Sequence, residues 1–322
     1  MNNFLNNNYF KLFIKYLLLA IICIMIGKYF INNLDDLKNY KFSINNFSFI
    51  YSIFCLWIWM LINSYIYNLL IKRIDPSSKI FENFLIWSNS FLGRYIPGKV
   101  GILISRIYFH QKNGINPKKV SFVFLLEIVL SVLSALIVFA SSSLFYEFSY
   151  VMNYRIISLI IILSLMIIIH PQLMSYLIVK ISKIFQKEQD IIILPLNYLF
   201  YLNIIFLNIV KWFFIGIGVY LLANSITTIS LTYFPLILGT YALASVVGLI
   251  AFFAPSGIGV TEGIIVFSLK YIIPGGLAVI ISILIRLWKI FSEVSFIIIV
   301  NIFIRVFSKN NLLTQKYIRR TN

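Results

Sequence analysis

Thirty consecutive residues, Phe42 to Ile71, carry no charged side chain. A spanning helix needs about 20 apolar residues, so this stretch crosses a bilayer with residues to spare. Similar runs lie at about 10–31, 120–146, 156–179, 194–223 and 277–303, and with 47–71 they make six expected spans. Of the 322 residues, 61% are hydrophobic and 11% charged. A soluble domain of this length carries charge on roughly a quarter of its residues. No polar block of roughly 100 residues is left over for a separate soluble domain. Residues 1–322 therefore read as a single all-α polytopic membrane domain.

The formal net charge is +17, from 27 Lys and Arg against 10 Asp and Glu. Basic loops facing anionic lipid heads account for this excess. Nucleic acid is excluded as a partner, because no polar, aromatic-bearing basic module exists to bind it. Cys23 and Cys55 sit in apolar runs and predict no disulfide framework. His110 and His170 are too few and too far apart for a metal site, and no cofactor is expected. His170, before Pro171, reads as a packed or capping residue. Lys11 and Lys15 precede the first apolar run, which reads as an uncleaved span rather than a removed signal peptide.

Two segments do not fit a simple span. Residues 79–112 contain Arg94-Tyr-Ile-Pro-Gly-Lys-Val-Gly101, and residues 234–272 contain Phe253-Ala-Pro-Ser-Gly-Ile-Gly259. Proline removes an amide donor and glycine loosens the chain, so a helix stops there. The break residues are Pro97, Gly98 and Gly101 in one segment and Pro255, Gly257 and Gly259 in the other. Broken backbone at membrane depth needs protein or a wet cavity around it, so both segments are expected to be re-entrant hairpins. Each half then reads span, span, broken hairpin, span. Repeat 1 covers about 10–146, repeat 2 about 154–305, and a basic tail follows at 306–322. Three crossings per half is odd, so the second copy is inverted, as in transporters with broken helices.

Charge tests this topology. With a cytoplasmic N-terminus, 16 Lys and Arg fall on the inside, five on the outside and six at membrane depth. That bias follows the positive-inside rule and places both termini in the cytoplasm, at the plasma membrane. Full-span hairpins would give the same assignment.

The six membrane-depth cations are Arg94, Lys99, Arg106, Lys211, Arg286 and Lys289. Each costs about 2.5–3.5 kcal/mol at a lipid-facing helix centre. Together they would cost roughly 15–20 kcal/mol, more than a typical folding stability. Most must therefore face protein, water or an anion. Glu127, Glu262 and Glu293 can pair with at most three of them. Arg286, Lys289 and Glu293 share one helix face, extended by Ser282, and Glu127, Ser131 and Ser134 make a similar stripe. Glu127 lies 30 residues after Pro97 and Arg286 lies 31 after Pro255. The two are expected to meet, or to share a substrate, near the pseudo-two-fold axis; interhelical ion pairs are the plain structural alternative. The half-helix after Pro97 opens with unpartnered N–H groups and a positive dipole, and Lys99, Arg94 and Arg106 add full charges. That combination suits a phosphate.

Gly93-Arg-Tyr-Ile-Pro-Gly-Lys-Val-Gly101, with Ser105-Arg106 and Phe124-Leu-Leu-Glu127, resembles the transmembrane flippase region of the lysylphosphatidylglycerol synthase family. Pro255-Ser-Gly-Ile-Gly-Val-Thr-Glu-Gly263, with Arg286-Leu-Trp and Glu293, resembles that family's second signature, and the likeness runs from about residue 10 to 305. It implies movement of a phosphate-bearing lipid across the bilayer, with Arg94, Lys99, Arg106, Glu127, Glu262, Arg286 and Glu293 as site residues. Two features depart from the family. The chain ends 17 residues after Arg305, where bifunctional synthases continue into an aminoacyl-transferase domain, so aminoacylation is not expected. The second break reads Pro-Ser-Gly where related sequences often read Pro-Gly-Gly.

The function expected is translocation of an anionic or polyprenyl-phosphate-linked lipid. Its head would enter a polar cavity between the repeats while its tails stay in the bilayer. The substrate-binding set is Arg94, Lys99, Arg106, Glu127, Lys211, Glu262, Arg286, Lys289 and Glu293. No nucleotide-binding loop is present to drive transport. The expected partners are a membrane phospholipid or lipid-linked substrate, with a homodimer or a complex with envelope-biosynthesis enzymes as further candidates. Two alternatives are a membrane glycosyltransferase using a polyprenyl-phosphate sugar and a scaffold of a cell-envelope biosynthetic complex. Asp35-Asp36, the one acidic pair that would suit the enzyme, reads as a polar loop.

Overall fold

The computed structural model describes residues 44–95, 101–145, 154–168, 197–251 and 257–309, with isolated positions at 254 and between 170 and 180. The expected span at 10–31, Asp35-Asp36, Pro97, Gly98, Lys99, Pro255 and the tail from 310 lie outside them. Among the described residues every regular element is a helix.

The long helices start where the sequence supplies caps. Helix α1, Asn46–Ile74, begins after Asn45, whose side chain accepts from Ser48 N, and ends on Lys72 and Arg73, which suit the negative end of its dipole. Helix α2, Ile80–Phe91, runs into a 3-10 turn at Leu92–Tyr95, and α3, Gly101–Gln111, follows the break. Helix α4, Pro117–Ser143, has Asn116 as its cap and proline at its first position. Then come α5, Tyr154–Ile168, and α6, Tyr198–Asn224, capped by Asn197. The second broken segment is α7, Phe234–Ile250, preceded by a 3-10 turn, and α8, Val260–Leu269. Helix α9, Gly275–Lys309, closes the series.

Four of these helical stretches are long and apolar enough to cross a membrane: 46–74, 117–143, 198–224 and 231–250. The first three are expected spans, with ends moved by a few residues. The fourth is the first arm of the second broken segment, which the sequence placed in a re-entrant hairpin; it has the length to cross by itself. Helix α9 reaches about 52 Å at 1.5 Å per residue, but Arg286, Lys289 and Glu293 sit in its middle. Of the expected span 156–179, α5 forms the first part.

Helices α1 and α6 pack along their lengths and run antiparallel. At one end Asn45 N donates to Ser225 O at 2.8 Å, and at the other the Arg73 guanidinium covers the Phe200 ring at 4.2 Å. Their inner faces bury Leu56, Met60, Tyr67, Tyr201, Ile204 and Ile215, while Ile50, Phe54, Leu61 and Phe206 point outward. Large apolar side chains on the outside are the signature of a lipid-facing surface. Most of the other neighbours come in pairs: α7 on α4 and α2 on α9; α6 on α4 and α1 on α9; α6 on α7 and α1 on α2; α3 on α4 and α8 on α9; α5 on α4 has no counterpart among the described residues. The set α1–α4 and the set α6–α9 thus occupy matching environments.

Candidate functional site

The two breaks are closed by glycine. A Cβ on Gly93 would lie 2.5 Å from the Gly101 carbonyl carbon and 2.7 Å from Ile102 N, so the arms of the first hairpin touch backbone to backbone. In the second, Gly257 and Gly259 have φ of +71° and +82°, a region that side chains disfavour. A Cβ on Gly257 would lie 2.9 Å from Gly248 Cα, and one on Gly248 2.5 Å from Thr261 Cγ2. Gly101, Gly257 and Gly259 were expected at the breaks. Gly248 was not, although it precedes Gly257 by nine residues much as Gly93 precedes Gly101 by eight.

Three ion pairs hold these breaks to the rest of the bundle. Arg106 on α3 pairs with Glu127 on α4, and its guanidinium also meets Ser90 Oγ and lies 4.3 Å over the Tyr67 ring. Glu127 takes a further hydrogen bond from Trp87 Nε1 at 3.2 Å, so one carboxylate ties both hairpin arms to α4. Glu262 on α8 pairs with Arg286 on α9, and its other oxygen accepts from Gly259 N at 2.7 Å. This second arrangement repeats the first with the charges exchanged. The expected meeting of Glu127 with Arg286 is therefore not what the fold makes: each is matched within its own set of helices, because a charged partner already sits on the adjacent hairpin arm. The third pair, Arg94 with Glu293, joins the first break to α9, and the Arg94 guanidinium stacks 4.3 Å from the Phe91 ring.

Two lysines differ from these arginines. Lys211 on α6 is 3% exposed and donates to Asn63 Oδ1 and Ser131 Oγ, both at 3.0 Å. The Glu127–Ser131–Ser134 stripe thus faces α6, where Ser134 also accepts from Trp212 Nε1. Lys289 on α9 is half-buried and makes no hydrogen bond or ion pair among the described residues. Its amine lies 5.8 Å from the rings of Trp59 and Tyr241, in the field of Arg94, Glu293, Arg286 and Glu262. Tyr241 also lines an apolar pocket with Val219, Ile237, Ile265 and Ile285.

Of the expected site residues, then, Arg94, Glu262, Arg286, Lys289 and Glu293 are gathered in one cluster, and Arg106, Glu127 and Lys211 in another. Lys99 is outside the described residues. Ser282, on the α9 stripe, is buried and donates to Val279 O. Trp59, Trp87, Tyr67 and Tyr241 frame the clusters and were not singled out, because aromatic residues are too common in this chain to mark a site. Arg106 is 2% exposed and faces a carboxylate, a hydroxyl and an aromatic ring; Arg94 and Arg286 keep about a quarter of their side chains open. Together, five described membrane-depth cations face three carboxylates. Two positive charges are left over, at Lys211 and Lys289.

Helices with apolar outer faces and charges gathered inside define a multi-pass integral membrane protein. Its particular family is set by sequence: the chain belongs to the family of the lysylphosphatidylglycerol synthase transmembrane region, whose sequence model matches residues 14–292. No curated protein matches the chain.

Proposed function

We propose that this protein is a lipid translocase that carries an anionic or polyprenyl-phosphate-linked lipid across the plasma membrane. The observation that carries this reading is Lys289: an amine at membrane depth with no carboxylate of its own among the described residues, set between Trp59 and Tyr241. A cation left unmatched there is costly unless an anion visits it. Arg94 and Arg286 each hold a carboxylate through one terminal nitrogen and keep other donors for a phosphate oxygen.

In this reading the chain is one membrane domain of two inverted repeats, with both termini cytoplasmic. The antiparallel run of α1 and α6 and the paired neighbours of the two helix sets support it. Lys99, by its place in the sequence, and the positive end of α3 would contribute to phosphate binding.

The test is reconstitution in liposomes with head-labelled anionic and zwitterionic phospholipids and lipid-linked sugars. Protein-dependent movement of the anionic lipid between leaflets is expected. Lys289→Gln should slow it by roughly tenfold or more, since one charge-assisted contact is worth about 1.5–3 kcal/mol. Equal rates for folded Lys289→Gln and parent protein would refute the site. Sugar transfer with no lipid movement would instead establish a glycosyltransferase.

A further inference from the structure

Lys211 takes no part in the Lys289 cluster, yet it is the more deeply buried amine. Its two hydrogen-bond partners are neutral, and they differ in kind. Asn63 Oδ1 can only accept, and the hydrogen bond from its amide nitrogen to Trp59 O holds that oxygen toward Lys211. Ser131 Oγ can accept from an ammonium or, turned round, donate to a neutral amine. The same shell therefore serves both charge states of Lys211. A structural ion pair would instead place a carboxylate in contact, but Glu127, the charged group that faces Lys211 from α4, is engaged by Arg106. On the other helices packed against α6, α1 presents Asn63. The titratable groups of α7 and α9 near the bundle centre, Tyr241, Arg286, Lys289 and Glu293, belong to the other cluster.

A string of polar groups leads from this pair toward the loop after α1. Arg106, bound to Glu127, covers the ring of Tyr67. Tyr67 Oη lies 2.7 Å from His110 Nε2. His110 is 1% exposed, its Nδ1 has no partner among the described residues, and Arg106 and Asp75 are the charges acting on it. Asp75 sits at the end of α1, beside Lys72 and Arg73. Neither the lipid site nor the hairpin closures use His110 or Lys211. Chains of acidic and histidine side chains inside membrane proteins carry protons.

We propose that Lys211 is a proton-exchanging site, that the Asp75 loop, His110 and Tyr67 mark the side from which it is supplied, and that it couples lipid movement to a proton gradient. The bond formed is the third N–H of Lys211; the bond broken is O–H of hydronium at the loop, and the proton returns to water on the far side. One proton carried with one monoanionic lipid makes the step electrically neutral. This coupling rests on the translocase reading.

The experiment uses the full chain in phosphatidylcholine liposomes with head-labelled phosphatidylglycerol, a pH difference of one unit and the membrane potential clamped at zero. At one proton per lipid the leaflet distribution should shift by about tenfold per pH unit, reversing when the gradient is reversed. Lys211→Met and Lys211→Arg, neither of which exchanges a proton in this range, should remove that shift. His110→Gln, which keeps a partner for Tyr67, should slow its approach without changing its final value. An even distribution in the parent despite lipid movement overturns the coupling and leaves the translocase standing, as does a tenfold shift retained by both folded Lys211 variants. No lipid movement under any gradient overturns the translocase reading and the coupling with it.

Discussion

At the scale of single residues, Arg106–Glu127 and Glu262–Arg286 perform one job with opposite polarity. Each links a hairpin arm to the long helix that follows. Removing one member leaves a buried charge unmatched, at about 3–5 kcal/mol. Glu127→Leu and Arg106→Leu should each lower detergent-solubilised stability by that order. The exchange Arg106→Glu with Glu127→Arg should recover most of the loss, because the second helix set already runs the bridge that way. It should not recover all of it: Trp87 Nε1 would lose its acceptor, worth about 1–3 kcal/mol. Thermal unfolding of the three variants measures this, and a double exchange no better than either single change would show that polarity is fixed by more than the pair. The sequence identified all four residues through their burial cost and spacing. It could not assign partners, since the near-equal spacing from Pro97 and Pro255 is as compatible with pairing across the axis as within each half.

Among elements, the broken segments depend on close backbone approach. Gly93→Ala and Gly248→Ala each place a methyl group within 2.5 Å of an existing atom, and should destabilise by about 1–3 kcal/mol. Gly263, inside α8 and with nothing within 4 Å of its Cβ position, is the control: Gly263→Ala should be neutral or gain up to about 1 kcal/mol of helix propensity. The same unfolding measurement separates them, and equal losses at all three sites would exclude the close-approach account. Gly257 and Gly259 were legible from sequence, since they act on their own backbone. Gly248 was not, because its role lies in what Gly257 and Thr261 bring against it. The caps Asn45, Asn116 and Asn197, which fix where three long helices start, were not singled out in the sequence. Whether the second broken segment re-enters or crosses was not legible, and its 231–250 arm is long enough for either.

For the whole molecule, the topology proposed here puts the loop after α1 and the loop after α6 on opposite sides of the membrane. Ser77 and Ser230 are exposed in those loops. In a background with Cys23 and Cys55 replaced by serine, Ser77→Cys should react with an impermeant thiol reagent from the cytoplasmic side alone and Ser230→Cys from the outside alone. Labelling of both from one side would rule out the inverted arrangement. By itself the sequence determined the solvent, the helical class, three of the long spans, the two breaks and the identity of the charges that lipid excludes. Each of these is a local property, summed over about 20 neighbouring residues or read from a single cost of burial. Only the tertiary structure decided which charges are matched, because the partners lie 21, 24 and 199 residues apart. It is that matching, absent from any one helix, that leaves Lys211 and Lys289 without a carboxylate of their own among the described residues.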